Sequence, residues 1–438
     1  MSKNRTTIIG AGDLFMTRRI PEDGYEGFEE LQALVKEHDA RFVNLEMTFH
    51  DAEGFPAAES GGTWAMADPV MLDDVRRMGF NLFNTANNHS GDYSEGGVLA
   101  TIRHLKERNM VFSGTGKNLA EANAACYLET KNARVALISC CSTFSAASRA
   151  GGQSELLHGR PGLNPVRFKT YYHVDPEHYA MAEELANVTL CNVGKINSIK
   201  MGYSLPFEEG KLPFGKEGMF VLDTENRVET VPDAEDLGRI TAEIRETRRQ
   251  ADIVIVSYHS HEYRDGDHTL PALFTETFAR ACIDAGAQIF MGHGPHEMQG
   301  IEVYGDGVIF YSIGNFLFET ETVSLQPYDA YINRKMPPDT KVGAYMDDRS
   351  KNGTAGYGTL ENIWRAILPS IECEDGRVRR VTLHPVSLQQ YERRSVKGIP
   401  VLSHDEKTLE YLAELSKPYG TTLRISGGAA ELVLSKEM

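Results

Sequence analysis

The chain has 438 residues and a formal net charge of −17 at pH 7, long enough for one large domain or a main domain with a smaller attachment. That charge excludes non-specific nucleic-acid binding, which needs a basic face to displace counterions, but leaves an acidic substrate open, because a local group of arginines or metal ions can hold an anion inside an acidic protein. No apolar run is long enough for a signal-peptide core or a membrane span, so the expectation is a soluble, cytoplasmic chain with no membrane partner.

Thr6–Gly12 is a short apolar run closed by Gly-Asp, the pattern of a buried parallel strand. Phe28, Leu31, Leu34 and Val35 form a helical stripe within Gly24–Glu37. Phe42–Met47 reads as a second strand, and Asp68-Pro69 opens a helix over Val70–Met78. Asn81–Ala86 reads as a third strand, Ser94–Arg108 as a helix and Met110–Ser113 as a short strand. This alternation predicts parallel strands covered by helices.

Tyr127–Cys141 predicts a hairpin turning at Lys131-Asn132. From about 142 to 229 the pattern loosens, which suggests an insertion or cap over the site. Helix, strand, helix and strand then follow at Ala234–Gln250, Asp252–Ser257, Pro271–Ala285 and Gln288–Met291, with a hairpin over Gly300–Ile313. The main domain is thus expected over 1–320, a long loop or lid over 321–360, and a completing segment over 361–438. That last segment holds two strands around Glu374-Asp-Gly376, then a helix and a final strand. The six cysteines, Cys126, Cys140, Cys141, Cys191, Cys282 and Cys373, match neither a zinc pair nor a disulfide framework, and most sit in apolar runs.

Polar groups gather just after the strands, where a parallel sheet exposes its carboxyl ends. Asp13 ends the first strand, Asn44 and Glu46 lie on the second, and Asn87, Asn88 and His89 follow the third. His259 and His261 follow Asp252–Ser257, and His293 and His296 follow Gln288–Met291. A lone strand-end Asp commonly caps a helix, and an Asn pair commonly makes a turn. Separate strand ends that all carry ligand-type groups point instead to one shared site. Carboxylate, amide and imidazole without thiolate suit one or two divalent ions such as Mn, Fe or Zn. Arg160 and Arg167 are candidates to bind substrate, since guanidinium matches carboxylate or phosphate oxygens. Glu262-Tyr263 is placed to orient the histidine pair, and Asn315 to fix loop geometry.

Gly12-Asp13, Val43-Asn-Leu-Glu46, Ala86-Asn-Asn-His89 with Asp92-Tyr93, Gly292-His-Gly-Pro-His296 and Tyr311-Ser-Ile-Gly-Asn-Phe316 resemble the motifs of the capsule-synthesis CapA family. That family is named for poly-γ-glutamate biosynthesis and is related in fold to the calcineurin-like metallophosphoesterases. The resemblance implies a four-layer α/β/β/α sandwich. It implies that Asp13, Glu46 and His296 hold one metal, that Asn88, His259 and His293 hold a second, and that His89 is the general acid. It also implies a metal-bound hydroxide as nucleophile.

Three departures qualify this. Phe15 stands where the metallophosphoesterase pattern has a histidine ligand, the final histidine pair is one residue longer than usual, and His259-Ser-His261 replaces His-Trp-Gly. His261 is therefore an extra ligand or a substrate contact. The leading expectation is a metal-dependent hydrolase, or hydrolase-like transferase, acting on a small or polymeric acidic substrate through a glutamyl-type amide or phosphoester. The alternatives are a non-catalytic polyanion-binding or assembly factor for poly-γ-glutamate synthesis, and a phosphodiesterase or nucleotidase. The oligomeric state is left open.

Overall fold

Two stacked sheets organise the chain in the computed structural model, which describes residues 5–214 and 218–434. The first begins with β1 (Arg5–Phe15), α1 (Phe28–Lys36), β2 (Ala40–Leu45), α2 (Met71–Met78), β3 (Leu82–Asn84), α3 (Ser94–Glu107) and β4 (Val111–Ser113). These four strands pair in parallel in chain order. The second sheet takes β5 (Cys126–Glu129), β6 (Arg134–Cys141), β7 (Ile253–His259), β8 (Ile289–His293), β9 (Ile301–Tyr304) and β10 (Gly307–Phe310), in the order β9-β10-β8-β7-β6-β5. Helices α4 (Ala234–Arg248) and α5 (Leu273–Asp284) connect its central strands.

The chain then returns to the first sheet. β11 (Asn315–Phe318) pairs in parallel with the end of β1, and the hairpin of β12 (Arg365–Glu374) and β13 (Arg377–Ser387) lays β12 antiparallel along its start. Helix α6 (Glu406–Ser416) precedes β14 (Leu423–Ser426) and β15 (Ala429–Leu432), the latter joined to β13. One strand was expected in this tail. Gly427 and Gly428, both at positive φ, make the tight turn that folds it into a hairpin instead.

Side-chain alternation explains why the sheets stack. Ile8, Phe42, Ile253, Ile255, Ile289 and Met291 point into a core between the sheets. Their neighbours Ile9, Val43 and Leu45 meet α1 and α2 through Leu31, Val35, Leu72 and Val75. On the far side, Val254, Val256 and Tyr258 meet Ile240, Ile244, Phe274 and Phe278 of α4 and α5. Strands apolar on both faces need cover on both faces, and the result is a four-layer α/β/β/α sandwich. Cys140, Cys141, Cys282 and Cys373 are buried in it, whereas Cys191 is exposed.

The loosely patterned stretch after β6 holds more structure than its sequence suggested. Strands Phe168–Val174, Lys211–Phe214, Gly218–Leu222 and Arg227–Pro232 form a four-stranded sheet, with helices Pro176–Thr189 and Val193–Lys200. It leans on α5 through Phe168, which stacks on Phe274 at 4.2 Å. Its first helix carried a readable signal: Asp175 accepts a hydrogen bond from the His178 N–H, and Pro176 occupies the first turn. Helices Tyr328–Asn333 and Val342–Arg349 likewise occupy the stretch read as a long loop.

Candidate metal centre

The cluster forms where the carboxyl ends of both sheets meet. β1 slips register against β2 between Ala11 and Asp13, and against β11 just after Asp13; such a bulge re-aims a side chain. Gly12 is required there, because a Cβ would stand 1.7 Å from the Gly314 carbonyl oxygen. The Gly-Asp and Gly-Asn motifs are thus two halves of one close backbone contact. Asp13 accepts from Asn44 Nδ2 at 2.6 Å and from the Gly294 N–H at 3.0 Å. Asn44 is fixed in turn by Asn84 and Asn87, whose amides donate to its Oδ1 at 2.6 and 3.2 Å.

β7 and β8 pair His259 with His293, and their Nδ1 atoms lie 3.0 Å apart. Ser257 holds the far nitrogen of His293 at 2.8 Å, leaving Nδ1 facing Asp13 at 3.4 Å. His296 lies at φ 63°, a left-handed conformation in which a non-glycine residue stores strain of roughly 1–3 kcal/mol. Asn315 holds it there, donating to its carbonyl at 3.1 Å and facing its Nδ1 at 2.8 Å. Asn315 therefore ties down the His296 backbone and also faces its ring.

His261 joins the group. Its Nε2 is 3.2 Å from that of His259, and its N–H donates to Thr143 Oγ1. Glu262 accepts from Ser142, Thr143 and Ser260 and so steadies this backbone, whereas Tyr263 is exposed and packs on His268. Phe15 packs edge-on to His89 and Phe318. Phe15 thus brings an aromatic contact, and no ligand atom, to the side of the cluster.

Ligand atoms of Asp13, His259 and His293 lie within 4.8 Å of one another, as do those of Glu46, His259 and His261, and those of Asp13, Glu46 and His296. His259 and His293 thus also lie close to Asp13, besides the Asn88 partner that the resemblance implies. Asn88 is fixed through its Nδ2, which donates to the Gly61 carbonyl at 2.8 Å, while its Oδ1 stays buried without a hydrogen-bond partner.

Burial sets the electrostatics. Asp13, Glu46, His259 and His293 are completely inaccessible to solvent. Burial alone would push the Asp13 carboxyl up, but hydrogen bonds from His293 and His296 hold it well below its ordinary value. Burial, reinforced by the charges of Asp13 and Asp92, pushes Glu46 well above its ordinary value. Burial also drives His259 far down and His261 to about 3, repulsion from neighbouring rings adding to the second.

The donor set fits a divalent ion. Both Glu46 carboxyl oxygens and Asn88 Oδ1 are buried without a hydrogen-bond partner, and an unsatisfied buried acceptor costs about 1–3 kcal/mol. A cation among carboxylate, amide and imidazole would satisfy all three, and no soft thiolate competes.

Beside the cluster, His89 Nδ1 donates to Asp92 Oδ2 at 2.7 Å. Asp92 also accepts from the Gly61 and Ala65 N–H groups, so its position is fixed from three sides. The sequence quoted Asp92 within a motif without giving it this role; its i+3 spacing from His89 was the available signal.

The two candidate arginines do not join the site. Arg167 is committed to Asp236 at the start of α4, with Nε–Oδ2 at 2.7 Å and flanking pairs to Asp233 and Glu235. This fixes a helix terminus and neutralises the guanidinium with three carboxylates. Arg160 is exposed, donates to the Arg149 carbonyl, and has no hydrogen bond or ion pair to the cluster among the described residues.

Residues 7–320 match the model of the family described as bacterial capsule synthesis protein PGA_cap. The chain belongs to that family. It is the family to which the sequence motifs pointed. Uncharacterized proteins y4sH and y4uA of Sinorhizobium fredii are each 31% identical over 433 residues, covering 96% of this chain and 91% of theirs. Capsule biosynthesis protein CapA of Bacillus anthracis is 25% identical over 72% of this chain and 60% of its own. PGA biosynthesis protein CapA of Bacillus subtilis is 26% identical over 56% and 44%. The PGA_cap match takes in every cluster residue from Asp13 to His296, while β12 to β15 lie beyond it. Among the described residues, no helix is long and apolar enough to cross a membrane.

Proposed function

We propose that this PGA_cap protein is a metal-dependent hydrolase, or hydrolase-like transferase, for an acidic substrate joined by a glutamyl-type amide or a phosphoester. The observation that carries the reading is the buried donor cluster in which both Glu46 carboxyl oxygens lack a hydrogen-bond partner. Asp13, Glu46, Asn88, His259, His261, His293 and His296 would hold one or two divalent ions. Bound there, such ions lower the pKa of water and stabilise a developing oxyanion.

The chain's own groups do the rest. Asn44 and the Gly294 N–H keep Asp13 turned inward. Asp92 keeps the His89 proton on Nδ1, which leaves Nε2 free to exchange a proton with a leaving group. The names of the Bacillus relatives, which refer to capsule and PGA biosynthesis, support an acidic polymer or a fragment of one as the substrate class.

Metal analysis of the purified protein, followed by assays of γ-glutamyl amides and phosphoesters with Mn, Fe and Zn, tests the reading. Stoichiometric metal and turnover abolished by His293→Ala are expected. Trace metal together with activity unchanged in His293→Ala would sink it. Tight poly-γ-glutamate binding without turnover in any metal would favour an assembly factor.

A further inference from the structure

A cavity of about 190 Å³ lies beside the metal centre, lined by Arg349, Ser350, Met346, Thr320, Tyr357 and the Glu321 carboxylate, which is paired with Lys397 and Arg394. Tyr357 is the shared wall. Its ring stands edge-on to His296, with centroids 5.2 Å apart, and packs against Phe318. Tyr357 thus touches His296 and lines the same cavity as Arg349.

Arg349 is half-buried and lacks a counter-charge. Every acidic group around it is taken by another cation: Asp347 by Arg394, Asp348 by Arg334 at 2.6 Å, and Glu321 by Lys397 at 2.9 Å and Arg394 at 3.4 Å. No carboxylate lies within ion-pairing distance of Arg349 among the described residues, and no hydrogen bond ties it down. Guanidinium groups elsewhere near the strand ends are occupied, Arg18 by Glu319 and Arg365 by Glu361. A partly desolvated cation facing a cavity is poised for an anion.

We propose that Arg349 and the cavity behind Tyr357 form a subsite for an anionic group of the substrate, a carboxylate or phosphate remote from the bond that is broken. This rests on the metal-dependent reading above, and it makes that reading specific: the substrate spans from the metal centre past Tyr357 and ends in negative charge.

The test uses the metal-loaded full chain and the variants Arg349→Gln and Arg349→Lys. Metal content and thermal midpoint should match the wild type, since Arg349 makes no bond that folding needs. With γ-glutamyl p-nitroanilide, Arg349→Gln should raise KM at least tenfold with kcat within threefold, and Arg349→Lys should recover part of the loss. The uncharged butyryl p-nitroanilide should be unaffected. Equal effects on both substrates, or none, would overturn the subsite.

Calorimetric titration with glutarate and with inorganic phosphate reads the site without catalysis, and it separates failure of the subsite from failure of the hydrolase reading. At least tenfold weaker binding of either anion to Arg349→Gln supports the subsite, and the tighter of the two names its chemistry. Identical binding to wild type and variant, or none to the wild type, overturns it.

Discussion

Asp92 serves one imidazole and two backbone N–H groups at once. Replacing it with Asn keeps the shape but turns one acceptor into a donor. That donor then faces either a backbone N–H or the His89 N–H, so the ring loses its fixed tautomer. Asp92→Asn should lower turnover by about 100-fold or more while leaving bound metal near the wild-type level, because Asp92 is not among the grouped ligands. Activity assays paired with metal analysis check this, and loss of metal in step with activity would make Asp92 part of the metal-holding set instead. Among single residues, Asp13, Glu46 and the four histidines were legible because ligand-type groups ended successive strands. Arg167 misled because nothing local in the sequence says that Asp236, far along the chain, will claim it. Tyr357 was hidden for the same reason: it lies in a polar stretch whose packing partner, His296, is distant in sequence.

At the scale of elements, the junction of β1 with β11 decides whether the site exists. The Gly12 Cα approaches the Gly314 carbonyl so closely that a methyl group cannot fit, and the collision is with backbone rather than a flexible side chain. Gly12→Ala should therefore cost more than about 3 kcal/mol and displace Asp13, seen as a lower urea midpoint and weaker metal binding. Ala at Gly238, where a Cβ meets nothing, is the control and should stabilise α4 slightly. A variant at Gly12 that unfolds like the wild type would mean that β1 and β11 separate freely. The strands of both sheets were readable from apolar runs, since burial on two faces leaves little room for polar residues. The four-stranded attachment was not, because its strands are only half-buried and carry Tyr, Lys and Glu that blur the alternation. The placement of β12 beside β1 was also invisible, as nothing local specifies which distant strand a sheet edge accepts.

Across the whole molecule, buried histidines tie stability to pH. Burial lowers His38 and His384 and takes His50 down to about 4, against an ordinary value of 6.5. The unfolded chain therefore binds more protons than the folded one between about pH 6.5 and 4. Stability should fall as pH drops through that window and stop falling on this account beneath it. Urea midpoints at pH 7 and pH 5 measure the slope, and His50→Gln should flatten it. An unchanged slope in that variant would assign the acid sensitivity to other groups.

The contact of Asp13 with the Gly294 N–H spans 281 residues, and this has a meaning for biosynthesis. While the chain is being made, the amino-terminal carboxylates leave the ribosome long before His293 and His296 exist to answer them. β12, which completes the bed of β1, comes later still. No partly synthesised chain can therefore hold an ion in this geometry. If this cluster takes up an ion as proposed, loading would follow the synthesis of His296, and the ion would be one that the completed chain meets.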